Sequence, residues 1–148
     1  MTTMLIQCIC SLVGSFGFCL LFQLRKGLWL PASVGGLFCW ICYLAALHFS
    51  ENLFFSSLVA ASLATLYSEL ISRLLKAPLT LFVIPAIIPL VPGGNLYYTM
   101  ASLAQRDMAE AAYYLKLTGQ YALGIAGGIA IITTLWTMAF YKKTQKLS

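Results

Sequence analysis

The sequence predicts an all-α integral membrane protein, a bundle of about five transmembrane helices in which the fourth is broken at a Pro/Gly motif. Of its 148 residues, 61% are hydrophobic and only 9% are charged, and the mean hydropathy is +0.89. A soluble domain carries about 25% charged residues, so this composition excludes an ordinary soluble protein. The apolar residues also fall into runs of about 20, the length that crosses a bilayer. We expect residues 1–148 to form a single transmembrane domain.

Short polar stretches divide the chain into five predicted spans. These cover roughly residues 5–24, 28–49, 53–75, the region after Pro78, and 117–141. The stretch from Asn95 to Lys116, between the fourth and fifth spans, is mixed in character. Its apolar residues recur near helical spacing, but a polar patch begins at Gln105. This stretch either lies on the outer surface of the membrane, or its first half completes the fourth span.

The fourth span is unusual because its apolar sequence is interrupted by helix-breaking residues. These are Pro85, Pro89, Pro92, Gly93 and Gly94. Each interior proline removes one helical hydrogen bond and crowds the carbonyl four residues back, at a cost of about 3 kcal/mol or more. The carbonyls expected to lose their helical donor are those of Leu81, Pro85 and Ile88. The prolines therefore predict a break in the helix with free acceptors on its first half.

The residues after the prolines are suited to starting a second half-helix. Gly93 and Gly94 permit backbone angles that end a helix, and Asn95 is a good residue to cap a new one. Hydrocarbon offers backbone groups no partner, so a broken helix persists only against other protein or a water-filled cavity. Many transporters build a binding site near the midplane of the membrane in this way.

We therefore predict a substrate-binding site at the break. Its expected residues are Pro89, Pro92, Gly93, Gly94, Asn95, Tyr97 and Tyr98. The two tyrosines either line the site just beyond the break or anchor the helix at the membrane interface. Because backbone N–H groups at the start of a helix favour anions, we expect a small carboxylated substrate.

The basic residues are unevenly divided between the two ends of the predicted spans. Two loops and the C-terminal tail hold seven of the nine, namely Arg25, Lys26, Arg73, Lys76, Lys142, Lys143 and Lys146. The opposite side holds only Arg106 and Lys116. Because cytoplasmic loops are enriched in Lys and Arg, we place the N-terminus outside and the C-terminus in the cytoplasm. The net charge of +5 thus sets orientation in the membrane and does not indicate a nucleic-acid partner.

Two spans carry faces of small residues, which let membrane helices approach closely. In the third span the small residues recur every fourth position, as Ala60, Ala64, Ser68 and Ser72 with a second row at Ser57, Ala61 and Thr65. In the fifth span Gly124 and Gly128 have the same spacing. The sequence leaves open whether the glycines pack within the chain or against a partner.

The third span also contains a carboxylate and a guanidinium one helical turn apart. Glu69 and Arg73 either form an ion pair near the cytoplasmic interface, or Glu69 is a proton-accepting or substrate-facing group. Intramembrane carboxylates are usually functional, so Glu69 is the candidate for coupling transport to an ion.

The sequence does not indicate an enzyme. We find no nucleophile beside a plausible base and no phosphate-binding loop. Because the chain has one histidine, a metal site is not expected, and no cofactor is expected either.

Two neighbouring motifs carry a resemblance to a known family. The first is Ser68-Glu69-x3-Arg73-x2-Lys76-Ala77-Pro78, and the second runs from Phe82 to Met100 through Pro85, Pro89-Leu90-Val91-Pro92-Gly93-Gly94 and Tyr97-Tyr98. They resemble the threonine/serine exporter family, more narrowly the short bacterial subunit that corresponds to the C-terminal half of the single-chain exporter. The resemblance implies export of threonine and serine driven by the proton-motive force, or of succinate in some two-component relatives. It also implies a larger membrane subunit as partner.

From the break and the resemblance together we expect the small subunit of a bacterial secondary exporter in the inner membrane, with threonine, serine or related carboxylates as substrates. The alternative is a non-transporting membrane scaffold, which stabilises a partner membrane protein through the small-residue faces. The two hypotheses differ in whether water and substrate reach the break.

The predicted topology is tested by reporter fusions. A reporter placed after Lys26 or at the C-terminus should report cytoplasm, because these positions follow the basic loops, and one near Asn52 should report the outside. Enzymatic reporters active on only one side of the membrane make the measurement. A cytoplasmic Asn52 would contradict the five-span arrangement and reverse the direction assigned to the fourth span.

Overall fold

The computed structural model describes the backbone of residues 2–145 and the side chains of residues 3–139. Its helices are α1 (Thr2–Leu21), α2 (Trp29–Ser50), α3 (Leu53–Leu74), α4 (Thr80–Ile87), α5 (Gly93–Ala104) and α6 (Met108–Gln145). Single 3-10 turns cover Lys26–Leu28 and Ile88–Leu90. The described residues contain no strand, so the prediction of an all-α fold is confirmed.

Four of these helices, α1, α2, α3 and α6, are long and apolar enough to cross a membrane. The fifth candidate span is a bent pair, in which α4 with its 3-10 turn meets α5 at an angle of 55°. A membrane bundle of about five helices with a broken fourth is therefore what the described part of the chain forms. The first half of the mixed stretch after Asn95 lies in α5, and whether α5 completes the fourth span or lies on the membrane surface stays a prediction.

Helix α3 lies between α2 and α6, and its small side chains make the contact with α6 very close. A Cβ added to Gly124 would lie 2.0 Å from the Oγ of Ser57. One added to Gly128 would lie 2.7 Å from the carbonyl oxygen of Leu58. No side chain fits in either place without moving backbone. The glycine pair of the fifth span thus packs within the chain, against the third.

The other small face of α3 packs toward α2 and α4. The buried residues of this cluster are Cys39, Tyr43, Ala60, Ala61, Ala64, Ala86 and Leu90. Helix α4 reaches α2 at a second pair of glycines, where a Cβ on Gly35 would lie 3.2 Å from the Cβ of Ala86. Packing through small residues therefore holds the first half of the broken span against α2 and α3.

Both basic loops lie at one end of the bundle. Arg25, between α1 and α2, and Lys76, between α3 and α4, line the same cavity of about 600 Å³. The guanidinium of Arg73 lies 5.3 Å from the centre of the Trp136 ring, so the later half of α6 is at this end too. The charge-based topology requires this arrangement, and the side on which this end lies stays a prediction. Lys146 lies outside the described residues.

Helix α6 begins at Met108, nine residues before the predicted start of the fifth span near Leu117. The side chain of Asp107 accepts a hydrogen bond from the N–H of Glu110 at 3.0 Å, which caps the helix at that point. The Oγ of Ser102 donates to Glu110 at 3.0 Å and ties α5 to α6. The polar patch is thus the turn and first turns of a 38-residue helix, about 57 Å long, against about 30 Å of hydrocarbon.

Replacing Gly128 with leucine tests the contact between α3 and α6. Because even a Cβ would press on the Leu58 backbone, we expect Gly128→Leu to destabilise the protein by about 1–3 kcal/mol or more. Gly119→Leu is the matched control, since a Cβ on Gly119 has no neighbour within 4 Å. Thermal unfolding of the two purified variants in detergent measures the difference. Equal midpoints for both variants would contradict the packing described.

Candidate functional site

The break in the fourth span is a short, ordered turn. Helix α4 contains Pro85 and ends at Ile87, and the 3-10 turn Ile88–Leu90 extends it. Val91 is then extended, with φ −62° and ψ 122°, and Pro92 precedes α5 with φ −79° and ψ 56°. Two non-helical residues therefore separate the two half-helices.

The turn satisfies some of the backbone groups that the prolines disturb. The N–H of Val91 donates to the carbonyl of Ile88 at 3.1 Å, so the expectation of a free Ile88 acceptor was wrong. The N–H of Gly93 donates to the carbonyl of Val91 at 2.8 Å. Pro89 has no N–H, so the carbonyl of Pro85 still lacks its helical donor. The interrupted helical hydrogen bond therefore lies on the α4 side of the break.

The start of α5 differs from the prediction in two ways. Gly93 and Gly94 both lie within the helix, and neither has a positive φ, so their conformational freedom does not end the first half-helix. Asn95 is the third residue of α5 and does not cap it; Pro92 occupies the capping position without a side-chain hydrogen bond. The prolines produce the break because they lack the N–H groups that would continue the hydrogen bonds of α4, and the chain passes into a 3-10 turn instead.

The first backbone donors of α5 remain available. The first intrahelical bond runs from the N–H of Leu96 to the carbonyl of Pro92 at 3.0 Å, so the N–H groups of Gly94 and Asn95 precede it. A Cβ on Gly93 or Gly94 would meet nothing within 4 Å. The glycines therefore leave the start of α5 bare.

An open depression of about 180 Å³ lies at this bare helix start. It is lined by Trp40, Pro89, Leu90, Val91, Pro92, Gly93, Gly94, Asn95 and Tyr121. Five of the predicted site residues are thus brought together, and α2 and α6 add Trp40 and Tyr121. Tyr121 shares a hydrogen bond with Tyr43, whose ring centre lies 5.2 Å from that of Trp40. The aromatic wall of the depression is therefore held by contacts between α2 and α6.

A second groove, of about 300 Å³, lies on the other side of Pro89. It is lined by Gln7, Cys10, Ser11, Gly14, Trp40, Ile88 and Pro89, so Trp40 and Pro89 border both spaces. The Nε1 of Trp40 is buried and has no hydrogen-bond partner among the described residues. A buried polar group without a partner is costly, so this N–H is a candidate donor to a ligand.

The hydroxyl of Ser15 is the other buried polar group near the break that has no hydrogen-bond partner among the described residues. Ser15 follows Gly14 of the second groove on α1. Every other buried serine and threonine in the described part of the chain has a hydrogen bond, in most cases to a backbone carbonyl of its own helix. The position that a Cβ on Gly36 would take lies 1.8 Å from the Ser15 Oγ and 3.3 Å from the Pro85 carbonyl oxygen. The Ser15 hydroxyl and the Pro85 carbonyl thus both face Gly36 on α2.

Tyr97 and Tyr98 do not line the depression. Both are exposed on α5, and the ring of Tyr98 stacks on that of Tyr114 of α6 with the ring centres 5.1 Å apart. The rings of Tyr97 and Tyr98 contact each other at 5.5 Å. The pair therefore faces outward on the α5–α6 hairpin, apart from the depression.

Glu69 and Arg73 lie together but away from the break. An oxygen of Glu69 is 3.8 Å from the Nε of Arg73, and the side chains are 12% and 46% exposed respectively. Leu90, at the break, packs at the level of Ala60 and Ala64, and Glu69 lies about 7.5 Å further along α3 than Ala64. The pair is therefore a separate cluster toward the basic end.

The matched family decides the class of this membrane protein. The family described as threonine/serine exporter, ThrE, matches residues 7–135, which include every residue that lines the depression at the break. The chain belongs to the threonine/serine exporter family. No curated protein and no solved structure gives a significant match to the chain. Family membership and the apolar helices make the chain a multi-pass membrane protein of a threonine/serine exporter-type transporter.

The depression at the break and its surroundings contain residues that the sequence did not single out. Trp40 of α2 and Tyr121 of α6 line the depression, and Ser15 of α1 lies near the Pro85 carbonyl; all three are far from the Pro/Gly motif along the chain. One weak signal existed for Ser15, because a serine inside an apolar span needs a hydrogen-bond partner. For Trp40 and Tyr121 the sequence carried no signal, since aromatic residues are common on any membrane helix.

Cysteine labelling tests whether water reaches the depression. In a background free of native cysteines, Gly94→Cys and Asn95→Cys should react with hydrophilic thiol reagents, because both positions line the depression. Ala86→Cys is the control and should not react, since Ala86 is fully buried between helices. Gel-shift assay of labelled membranes, with the transporter assembled, gives the extent of reaction. Protection of both site cysteines would favour the scaffold alternative.

Proposed function

We propose that this exporter chain is the small subunit of a bacterial secondary exporter for threonine and serine or related small carboxylates. It works with a larger membrane subunit and is driven by the proton-motive force. It lies in the inner membrane with its N-terminus outside and its C-terminus in the cytoplasm. The observation that carries this proposal is the uncapped start of α5, which opens on a depression within the bundle.

The substrate carboxylate binds at the start of α5. The N–H groups of Gly94 and Asn95 lack helical acceptors, and the helix dipole places about half a positive charge there. None of the four acidic residues of the chain lines the depression, so no fixed negative charge repels an anion. The amide of Asn95 adds a further donor within the same first turn.

The α4 side of the break supplies the opposite polarity. The carbonyl of Pro85, which has no i+4 donor because residue 89 is proline, and the unpartnered hydroxyl of Ser15 lie beside the C-terminal, negative end of α4. An ammonium group is attracted to that end, while the carboxylate is attracted to α5. A broken span with this polarity favours a zwitterionic amino acid over a dicarboxylate.

Glu69 is the group we assign to proton coupling. It is mostly buried within the third span, and carboxylates inside membrane spans commonly belong to the proton relays of transporters. Arg73 holds it in place and itself lies over Trp136. Because Glu69 is not in the depression, coupling in this proposal acts through movement of α3 and not through direct contact with substrate.

The scaffold alternative loses one of its supporting observations. It relied on small-residue faces that are available to a partner, but Gly124 and Gly128 are covered by α3. No other contact of the described residues favours a scaffold over a transporter subunit.

Export assays with proline variants test the proposal. Cells that express both subunits should export labelled threonine and serine, and cells that lack this chain should not. Pro89→Ala restores a donor for the Pro85 carbonyl and should straighten the span, so we expect loss of export with normal membrane level and partner association. Pro92→Ala should also impair export, because it changes the residue before α5. The measurements are export rate and co-purification of the two subunits.

Pro78→Ala is the matched control, because Pro78 is exposed and precedes α4. It should leave both export and assembly unchanged. If complex formation falls together with export in Pro89→Ala, the proline acts on packing alone. Wild-type export from a well-assembled variant that lacks both Pro89 and Pro92 would remove the broken helix from the mechanism.

A further inference from the structure

A groove between α1 and α2, at the basic end of the bundle, is separate from the transport site. Its volume is about 460 Å³, within the usual range for ligand pockets. It is lined by Leu12, Val13, Phe16, Lys26, Trp29, Leu30, Ser33 and Val34. Val13 and Leu30 are 61% and 76% exposed, so the groove opens on the outer surface of the bundle. In a membrane that surface faces lipid.

The polar atoms along this groove are already satisfied. The Nε1 of Trp29 donates to the carbonyl of Leu24 at 2.6 Å, and the Oγ of Ser33 donates to the carbonyl of Trp29 at 2.8 Å. The ring of Phe16 packs edge-on against that of Trp29 at 5.8 Å. The ammonium of Lys26 is therefore the one group in the lining that is left to bind a charged ligand.

No acidic side chain of the protein is positioned to neutralise Lys26. Among the described residues Lys26 has no ion pair, and Glu69 is paired with Arg73. Glu51 lies at the other end of α2, 25 residues along the chain, and Asp107 and Glu110 lie at the start of α6. The charge that complements Lys26 must come from another molecule.

We propose that this groove binds an anionic phospholipid, with an acyl chain along the groove and the phosphate on Lys26. An occupant from the bilayer must be apolar over the length of the lining and negative at the end where Lys26 lies. Basic pockets between membrane helices bind anionic headgroups in this way. The site is independent of the transport function and depends only on the α1–α2 pair.

Trp29 provides a direct reporter, because it lines the groove. The other two tryptophans are replaced in a Trp40→Phe, Trp136→Phe background, and the full chain is reconstituted in phosphatidylcholine vesicles. Part of the lipid is then exchanged for phosphatidylglycerol or phosphatidylcholine with brominated acyl chains, which quench indole fluorescence on contact. We expect the brominated anionic lipid to quench Trp29 with about fivefold higher apparent affinity, the effect of one basic residue near the membrane surface.

Four variants locate the preference. Lys26→Gln should abolish it and Lys26→Arg should keep it, while Arg25→Gln is the matched control, since Arg25 lines the neighbouring cavity and not the groove. Val34→Phe should fill the groove and reduce quenching by both lipids. Equal quenching by the two lipids in the parent protein would overturn the proposal. So would an equal loss of preference in Arg25→Gln, or quenching unchanged by Val34→Phe, since either outcome places the lipid elsewhere.

Discussion

The close approach of α3 to its neighbours is the constraint on which the rest of the structure depends. Lipid tails are as apolar as leucine, so membrane helices associate through close packing and hydrogen bonds and not through the hydrophobic effect. The small side chains of α3 let α6 approach at Gly124 and Gly128. On its other face Ala60 and Ala64 admit α2 and α4. Trp40 and Tyr121 both line the depression at the break because both of their helices pack on α3.

The same packing makes the broken span tolerable. Backbone groups in hydrocarbon must be satisfied inside the protein, and the turn at Ile88–Leu90 satisfies part of them through i,i+3 bonds. The N–H groups of Gly94 and Asn95 are left without helical acceptors, and they lie at a depression between helices where a ligand or water is able to bind them. Most of the polarity at the depression thus comes from backbone, and none of the residues that line it is acidic or basic.

The disagreements between sequence and structure have local causes. Asp107 and Glu110 have the spacing of a helix N-cap, and that signal places the start of α6 at Met108 despite the polar composition around it. The count of apolar residues does not locate the start of α6, because the first turns of this helix carry charged residues. Asn95 has the chemistry of a cap, but Pro92 with its preset φ occupies the capping position, so α5 starts three residues earlier than a cap at Asn95 would place it.

The sequence alone determined the class, the number of spans, the place of the break and the family, because apolar run length and proline chemistry act locally. It also gave the ion pair of Glu69 and Arg73, since residues four apart on a helix are neighbours. Only the tertiary structure decided which residues face each other. Gly124 and Gly128 face α3, Trp40 and Tyr121 line the depression, and Tyr97 and Tyr98 do not. Those facts depend on the rotation of each helix about its axis. In these spans, apolar on nearly every face, rotation is set by the shapes of small residues in contact and not by a hydrophobic stripe.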